Sequence, residues 1–401
     1  MAGGQGRRMA KPGHKGRMRL SWYDPRLRAL VYQASVLIAV VALVWFFVAT
    51  AQANLERLHI SSGFGFLDTT AGFGIIQTLI SYTEQSSYGR AFLVGLLNTL
   101  AVAAIGIVLA TLLGFVIGVA RLSRNWLIAR LAAGYVEILR NIPLLLQLFF
   151  WYFAVLRPLP QPAQSLEPFT GVYLNNRGLI LPAPIFEPQA FAFFAALLAA
   201  LAGGAFLIRW SRRRQLATGA LFPAWRVAAA LAIVVPALVA LIIGAPFHLE
   251  FATREAFDYA GGTRLLPEFV ALTLGLTLYT AAFIAEIVRA GIQSVSKGQT
   301  EAAAALGLKE NTTLRLVVIP QALRLIVPPL TSQILNLTKN SSLAVAIGYP
   351  DLVAVFAGTV LNQTGQAIEV ISITMAVYLA LSLLTSFAMN WYNARVALRE
   401  R

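Results

Sequence analysis

The sequence predicts an all-α polytopic membrane protein with about eight transmembrane helices. Hydrophobic residues make up 58% of its 401 residues and charged residues only 12%, which is typical of a chain that places much of its surface in lipid. Long apolar runs recur along the chain, and each approaches the roughly 20 residues that a helix needs to cross a bilayer. Because lipid cannot satisfy open backbone groups, such runs form helices.

Eight apolar runs are separated by polar segments. From the N-terminus they cover residues 29–50, 91–120, 126–156, 190–208, 227–245, 267–292, 326–347 and 368–391. The third run is longer than a bilayer requires, and Pro143 within it predicts a kink that frees backbone carbonyls to line a cavity. Seven prolines exclude a long helix from residues 157–188. Residues 52–89 are expected to form an external loop or a helix on the membrane surface.

The placement of Lys and Arg predicts the side of the membrane that each loop occupies. The first 28 residues, the C-terminus and the segments 121–130, 209–226 and 289–324 together carry 24 of the 32 basic residues. By the positive-inside rule these segments and both termini are cytoplasmic. The net charge of +15 is therefore explained by topology, and no nucleic-acid partner is expected.

Composition excludes several kinds of chemistry. The chain has no cysteine and only three scattered histidines, so we expect neither thiol catalysis nor a metal site. The nucleotide-binding sequence G-x-x-x-x-G-K-[ST] does not occur. The chain is therefore expected to have no catalytic residue, no cofactor and no ATPase activity of its own.

The polar segment from Thr300 to Pro320 lies between two long apolar runs. Thr300 is placed to cap a short helix, four alanines favour that helix, and Gly307 suits its end. A second short helix is predicted to begin near Asn311 or Thr312. Two short helices joined at a glycine would form a rigid knob that another protein can grip.

This segment resembles the EAA loop of ABC importer permeases. The sequence Glu301-Ala302-Ala303 is separated by three residues from Gly307, and Pro320 ends the pattern. In that family the loop docks on the ATP-hydrolysing subunit, so the resemblance implies coupling roles for these five residues. It also implies that ATP and Mg are bound by a partner ATPase dimer. The alternative interpretation is an alanine-rich helical hairpin without such a partner.

Further blocks resemble the branch of these permeases that takes up polar amino acids and opines. They are Gly95–Leu100, Glu137–Pro143, Gln147–Phe150, Ala285–Ile292 and Lys339–Leu343. Members of the branch commonly have Gly-Thr where this chain has Asn141-Ile142, so the local pore chemistry is expected to differ. The resemblance implies a type I importer permease core, here split by an insertion and preceded by one extra helix.

The resemblance implies the following division of the chain. Residues 1–28 form a cytoplasmic basic tail, 29–89 an extra N-terminal transmembrane helix with a periplasmic segment, 90–156 the first part of the core, 157–266 an insertion with two transmembrane helices and periplasmic loops, and 267–401 the second part of the core with the coupling loop at 294–325. This architecture looks like the general L-amino-acid or glutamate/glutamine/aspartate/asparagine permeases of Gram-negative bacteria. It implies a bacterial inner membrane, a related second permease rather than a homodimer, and a periplasmic amino-acid-binding protein.

Polar residues inside membrane helices are costly and therefore mark a candidate substrate pathway. An amino-acid zwitterion needs a cation for its carboxylate, for which Arg140 or Lys339 is suited, and an acceptor for its ammonium, for which Glu286 is suited. The candidate residues are Asn98, Glu137, Arg140, Glu286, Lys339, Asn340, Ser341 and Ser342. The structural alternative is pairing along one helix, since Glu137 and Arg140 are three residues apart, as are Glu286 and Arg289.

The leading prediction is the transmembrane permease subunit of an ATP-driven importer of L-amino acids from the periplasm. A stand-alone ion-coupled secondary transporter is the alternative, and it predicts inverted repeats. A membrane scaffold without transport activity would leave the polar stripe of Asn336, Lys339 and Asn340 unexplained. Gly114 and Gly118 form a G-x-x-x-G pattern, which we interpret as close helix packing within the chain.

Overall fold

The computed structural model describes residues 25–57, 63–255 and 258–396, and helices dominate these ranges. The α-helices are α1 (Pro25–Arg57), α2 (Tyr88–Ala120), α3 (Trp126–Asn141), α4 (Leu144–Phe149), α5 (Ala190–Thr218), α6 (Ala224–Ile243), α7 (Pro267–Gln293), α8 (Lys297–Ala305), α9 (Glu310–Thr313), α10 (Ile319–Asn340), α11 (Leu361–Thr364) and α12 (Ala367–Val396). Short 3-10 turns cover Phe64–Asp68, Pro162–Gln164 and Ser341–Ile347, and π-helical turns cover Phe150–Leu156, Leu314–Val318 and Val353–Val360. Most of the predicted basic tail lies outside the described residues.

Seven helical segments within the described ranges have the length and apolar composition to cross a membrane. An eighth candidate is the pair formed by Trp126–Asn141 and Leu144–Leu156, which is bent by 106°. The prediction of about eight spans is thereby confirmed. Helix α1 belongs to a compact unit of its own that ends at Phe64, whereas the helices from α2 onward form the second unit.

The bend lies at Pro143, where the kink was predicted. Proline has no N–H to continue the helix, so carbonyls in the preceding turn lose their partners. The side chain of Gln147 replaces two of those bonds, since its Nε2 donates to the carbonyls of Leu139 at 2.8 Å and of Ile142 at 2.9 Å. The expectation that freed carbonyls line a cavity is therefore wrong for these two.

Helices α2 and α7 form the centre of the second unit. Gly114 of α2 lies against Ile284, and Gly118 lies against Val288, one turn further along α7. Both pairs are buried, and an absent Cβ lets the two backbones approach closely. The interpretation of Gly114 and Gly118 as packing residues is confirmed.

The insertion combines a helical hairpin with short antiparallel strands. Its strands are β1 (Leu166–Phe169), β2 (Val172–Asn175), β3 (Gly178–Leu181), β4 (Ala183–Phe186), β5 (Phe247–Glu250), β6 (Thr253–Arg254), β7 (Tyr259–Ala260) and β8 (Thr263–Leu265). One sheet has the order β1-β2-β3-β8, and β4–β5 and β6–β7 form separate pairs. Because β4 precedes α5 and β5 follows α6, the β4–β5 pair joins one end of the hairpin.

These strands were not predicted from the sequence. The prolines of residues 157–188 exclude a helix but are compatible with edge strands. Gly171 and Gly178, with φ of +78° and +122°, make the reversals on either side of β2. The sheets remain a minor part of an all-α protein.

Candidate coupling loop and substrate pathway

The short helix α8 carries the predicted coupling residues. It begins at Lys297, four residues before Glu301, the first helical residue expected after a Thr300 cap, so Thr300 is not its cap. Instead, the Thr300 hydroxyl donates to the Lys297 carbonyl at 2.7 Å. The helix ends at Ala305, and Gly307 terminates it as predicted, with a left-handed φ of +74°. The Gly307 and Leu308 amides donate back into the last turn at 2.9 and 3.1 Å, which is the bonding of a glycine-terminated helix.

The second half of the loop differs from the prediction of another short helix. Helix α9 continues through the π-helical turn Leu314–Val318 into α10, and Glu310–Ile347 forms one candidate span. Pro320 lies in the first turn of α10. The π turn accommodates the proline, because the Ile319 amide donates to Leu314 with a spacing of five residues. The knob is therefore α8 set beside the start of a long helix.

The side chains of α8 divide into an inner and an outer set. Ala303 is 3% exposed and holds the helix against the protein, whereas Glu301 and Ala302 are exposed. Leu306 is 80% exposed beside them. This exposed set offers a partner one carboxylate and an apolar contact on a helix whose end is fixed by Gly307.

Glu286 lies in an ion cluster that joins α2 to α7. Its carboxylate accepts hydrogen bonds from Arg121, at the end of α2, and from Arg289 on its own helix. The three side chains are between 15% and 28% exposed. The pairing of Glu286 with Arg289 along α7 is confirmed. A carboxylate already held by two guanidinium groups is a poor acceptor for a substrate ammonium.

Arg140 and Glu137 do not form the other predicted pair. The Arg140 guanidinium lies 5.0 Å from the centre of the Phe283 ring, in a cation–π contact. Glu137 is exposed. The Arg140 side chain therefore contacts α7 and does not pair with Glu137 on its own helix, α3.

A polar cavity of about 270 Å³ lies beside that contact. It is lined by Tyr279, Thr280, Phe283, Gln333, Asn336 and Asn340. The α10 residues of this lining, Gln333, Asn336 and Asn340, recur every three to four positions. Asn336 and Asn340 belong to the predicted polar stripe, whereas its third member, Lys339, does not line this cavity. The cavity therefore combines three side-chain amides, two hydroxyl groups and a nearby cation, which suits a small zwitterion.

Lys339 and Ser342 line a second cavity of about 390 Å³. Its other wall includes Thr374, Tyr378 and Ser382 of α12, spaced four residues apart. The sequence reasoning missed these three, although their spacing gave a polar stripe in the last apolar run. Lys339 is the cation of this cavity, so the two predicted carboxylate partners, Lys339 and Arg140, lie at different sites.

Asn98 and Ser341 are fully buried and do not line either cavity. The Asn98 side chain donates to the carbonyls of Gln77 and Pro350, each at 2.9 Å. The Ser341 hydroxyl donates to the Thr338 carbonyl at 2.7 Å. In this conformation both residues hold the backbone in place rather than face a substrate.

The block Gly95–Leu100 clamps the segment that follows α10. An added Cβ at Gly95 would lie 3.0 Å from the Leu352 Cα, and the Thr99 hydroxyl accepts the Leu352 N–H at 3.0 Å. Asp351, which sequence reasoning also missed, is fully buried and accepts the Ala354 N–H at 2.8 Å. That bond satisfies an N–H in the first turn of the helical segment Val353–Val360. These contacts thus fix the position of the segment Leu352–Val360, which lies between α2 and α12.

The comparisons with known proteins agree with this arrangement. A model of the family "Binding-protein-dependent transport system inner membrane component" matches residues 106–399. The chain is 53% identical over 382 residues to a putative amino-acid ABC transporter permease of Escherichia coli K12, YhdX, covering 95% of this chain and 97% of that protein. The chain therefore belongs to this family of multi-pass permease subunits, and a stand-alone secondary transporter does not agree with that membership.

Two further relatives match the chain over almost its whole length. The general L-amino acid permease AapQ of Rhizobium johnstonii is 53% identical over 96% of each chain. The glutamate/glutamine/aspartate/asparagine permease BztB of Rhodobacter capsulatus is 44% identical over 98% of this chain and 100% of that protein. The predicted resemblance to these two groups of permeases is confirmed.

Proposed function

We propose that the chain is the transmembrane permease subunit of an ATP-driven importer that takes up L-amino acids from the periplasm. The observation that carries this proposal is the 53% identity to a general L-amino acid permease along almost the entire chain. The two polar cavities beside α10 support it, since each offers a cation or amide groups to a zwitterion. Polar and charged groups at such sites are costly in a membrane protein unless they bind something.

Energy would come from a partner ATPase dimer that binds ATP and Mg. The exposed set on α8, with Glu301 and Ala302 beside Leu306, is the surface that we assign to this partner. Ala303, Gly307 and Pro320 would act indirectly, because they position α8 and the start of α10. A helix held at both ends can transmit a displacement without bending.

The substrate carboxylate would bind Lys339, which lines the larger cavity, or Arg140, which contacts Phe283 of the smaller cavity. Asn340 and Ser342 would add hydrogen bonds. Glu137, although exposed, remains a candidate for the rim of this pathway. Glu286 is better assigned to the ion cluster, and Asn98 and Ser341 to the support of the pathway walls.

The orientation in the membrane and the partner proteins are inferred from the placement of basic residues and from the similarity to known permeases. The placement of basic residues supports cytoplasmic termini and a cytoplasmic α8, in a bacterial inner membrane. The family's description as binding-protein-dependent supports a periplasmic amino-acid-binding protein as donor of substrate. The large 157–266 insertion, which looks like that of a two-permease system, is our reason to infer a related second permease as partner. The division of the chain into tail, extra helix, split core and 157–266 insertion is part of the same proposal.

Affinity purification of the tagged chain from its native membrane tests this function. We expect an ATPase and a related permease to copurify, and vesicles with the complex to accumulate labelled L-amino acids only with ATP and the binding protein. Uptake by the isolated chain without nucleotide would contradict the proposal. Native mass spectrometry that shows two copies of this chain and no second permease would contradict the heterodimer alone.

A further inference from the structure

One end of the α5–α6 hairpin carries a dense group of arginines. They are Arg209, Arg212, Arg213, Arg214 and Arg226. All five are exposed, and among the described residues none forms an ion pair with a carboxylate. Between Glu187 and Glu250 the sequence contains no Asp or Glu at all. The hairpin therefore presents a local positive charge that nothing on the hairpin neutralises.

Two of these arginines belong to a formed recess on α5. The recess has a volume of about 290 Å³ and is lined by Phe206, Arg209, Trp210 and Arg213. Their spacing of three and four residues places them on one face of the helix. The opposite face, with Ala200, Gly204 and Ser211, is buried, and Gly204 lies against Ala228 of α6. The recess thus points away from the partner helix of the hairpin.

The depth of the recess matches the boundary between lipid tails and headgroups. Arg209 follows Ala190, the first residue of α5, by 19 positions, so at about 1.5 Å per residue it lies about 29 Å along the helix. The hydrocarbon core is about 30 Å thick. Trp210 and Trp225, which are 42% and 67% exposed, lie at the same end of the hairpin, as is typical of membrane interfaces.

We propose that this recess binds the phosphate headgroup of an anionic phospholipid at the membrane face that the positive-inside rule assigns to the cytoplasm. Arg209 and Arg213 would donate to the phosphate, since the guanidinium fork matches its oxygens. Phe206, which lies almost one turn deeper, would contact the upper acyl chain. Charge complementarity selects an anionic lipid over a zwitterionic one, because the latter brings its own cation.

The recess shares no residue with the two cavities beside α10 or with the exposed set on α8. A basic patch also serves membrane topology, and that role needs only the number of charges and not their position. The recess, by contrast, depends on two particular side chains. A pair of variants with equal loss of charge therefore separates lipid binding from topology.

Native mass spectrometry of the purified transporter complex, in nanodiscs of phosphatidylethanolamine with a minor fraction of phosphatidylglycerol, tests the site. We expect the wild-type complex to retain phosphatidylglycerol in excess of its bulk share. In the double variant Arg209→Gln with Arg213→Gln, this enrichment should fall by at least about tenfold. Each arginine near an anionic surface contributes about fivefold to the binding constant. The matched control, Arg212→Gln with Arg226→Gln, should keep it.

Three outcomes would overturn the proposal. Equal loss of lipid in both double variants would show a diffuse charge effect rather than a site. Unchanged enrichment in the Arg209/Arg213 variant would show that the recess binds no anionic lipid. Loss of a copurifying protein, in place of lipid, from that variant would show that an acidic protein surface occupies the recess. Membrane levels of all variants, measured by immunoblot, identify any variant that fails to insert.

Discussion

Gly114 of α2 lies so close to Ile284 of α7 that an added Cβ would come within 2.6 Å of the Ile284 Cβ. The same contact recurs one turn further, where an added Cβ at Gly118 would lie 2.7 Å from the Val288 Cβ. Helices α2 and α7 come from opposite sides of the 157–266 insertion. Their contact therefore joins the two parts of the split core, and its tightness has a measurable consequence.

Gly114→Ala is expected to destabilise the chain by about 1–3 kcal/mol, because the added methyl group forces the packed helices apart. The measurement is the unfolding temperature of the purified complex in detergent. Gly134→Ala is the matched control, since a Cβ at Gly134 of α3 meets nothing within 4 Å. Equal unfolding temperatures for Gly114→Ala and wild type would contradict the close approach of α2 and α7.

Glu286→Gln is expected to lower stability more than Arg121→Gln, because it leaves two arginines, Arg121 and Arg289, without their shared carboxylate. The double variant with Arg121→Gln should be less destabilised than the sum of the single changes. Thermal unfolding across this double-mutant cycle measures the coupling.

The exposed pair Arg124–Glu310, at 91% and 84% exposure, is the control and should contribute less than about 1 kcal/mol. Strict additivity at Glu286 would contradict a cluster.

Gly307→Asp is expected to reduce uptake and substrate-stimulated ATP hydrolysis sharply while the chain still enters the membrane. The left-handed backbone at this residue disfavours a Cβ by about 1–2 kcal/mol, and the new charge lies beside the exposed set on α8. Gly307→Asn is the matched control, since asparagine has the same shape and the same backbone cost as aspartate but adds no charge, and it should retain more activity than Gly307→Asp. Glu301→Ala should have a milder effect, because it removes one contact without moving the backbone. Near-normal activity of Gly307→Asp in the purified complex would refute the coupling role.

Lys339→Gln and Arg140→Gln are expected to weaken uptake by about 10- to 100-fold if the replaced cation binds the substrate carboxylate, since a hydrogen bond to a charged group contributes about 1.5–3 kcal/mol. Assembly with the ATPase should be preserved. The measurement is the concentration dependence of uptake by vesicles, with Arg130→Gln, an exposed arginine of α3, as control. Loss of the chain from the membrane would instead show that the charge stabilises the fold.

The segment around Asp258 is expected to loosen in acid. Burial alone would raise the pKa of Asp258, but hydrogen bonds from the Tyr259 amide, Arg264 and Arg177 outweigh burial and hold this pKa below its ordinary value of 3.8. Because the folded pKa is the lower one, the stabilisation is complete above the unfolded pKa and is lost as the pH falls through the folded value.

Hydrogen exchange of β3, which directly follows Arg177, and of β8, which contains Arg264, measures this loosening. Protection should fall as the pH decreases below about 4, after correction for the intrinsic exchange rate. Asp258→Asn should weaken the protection at neutral pH and remove most of its pH dependence. An unchanged acid response in this variant would assign the effect to other carboxylates.

Much of the fold followed from local patterns. Apolar run lengths predicted the spans, and Pro143 predicted the bend between α3 and α4, because proline lacks the donor that a continuous helix needs. Gly307 predicted the end of α8 for the corresponding reason, that glycine alone enters the left-handed region without cost. The start of α8 and the continuation of α9 into α10 were predicted wrongly. A cap such as Thr300 competes with Ser296 nearby, and a π turn has no clear sequence signal.

The candidate pathway was predicted less completely. Polarity marked Lys339 and Asn340 as unusual, yet they lie at different cavities because neighbouring residues of a helix point about 100° apart. Glu286 was equally unusual as a charged residue in an apolar run. Its contact with Arg121 could not be predicted, because Arg121 is 165 residues away in the sequence. Asp351 and Tyr378 were missed because their significance depends on a contact between separate segments.

The sequence by itself determined what each segment of this protein is: which stretches enter lipid, which face carries positive charge, and which short motif marks the chain as a transporter subunit. Those properties depend on the composition of each segment and on the spacing of its residues. Each helix has to satisfy its own backbone hydrogen bonds in the bilayer, so no contact with another segment is needed to predict them. Tertiary structure alone decided which side chains of separate segments meet, including Arg121 with Glu286 and Gly114 with Ile284. Contacts between distant segments depend on helix rotation and crossing, and a shift of one residue along a helix turns a side chain from a cavity toward lipid.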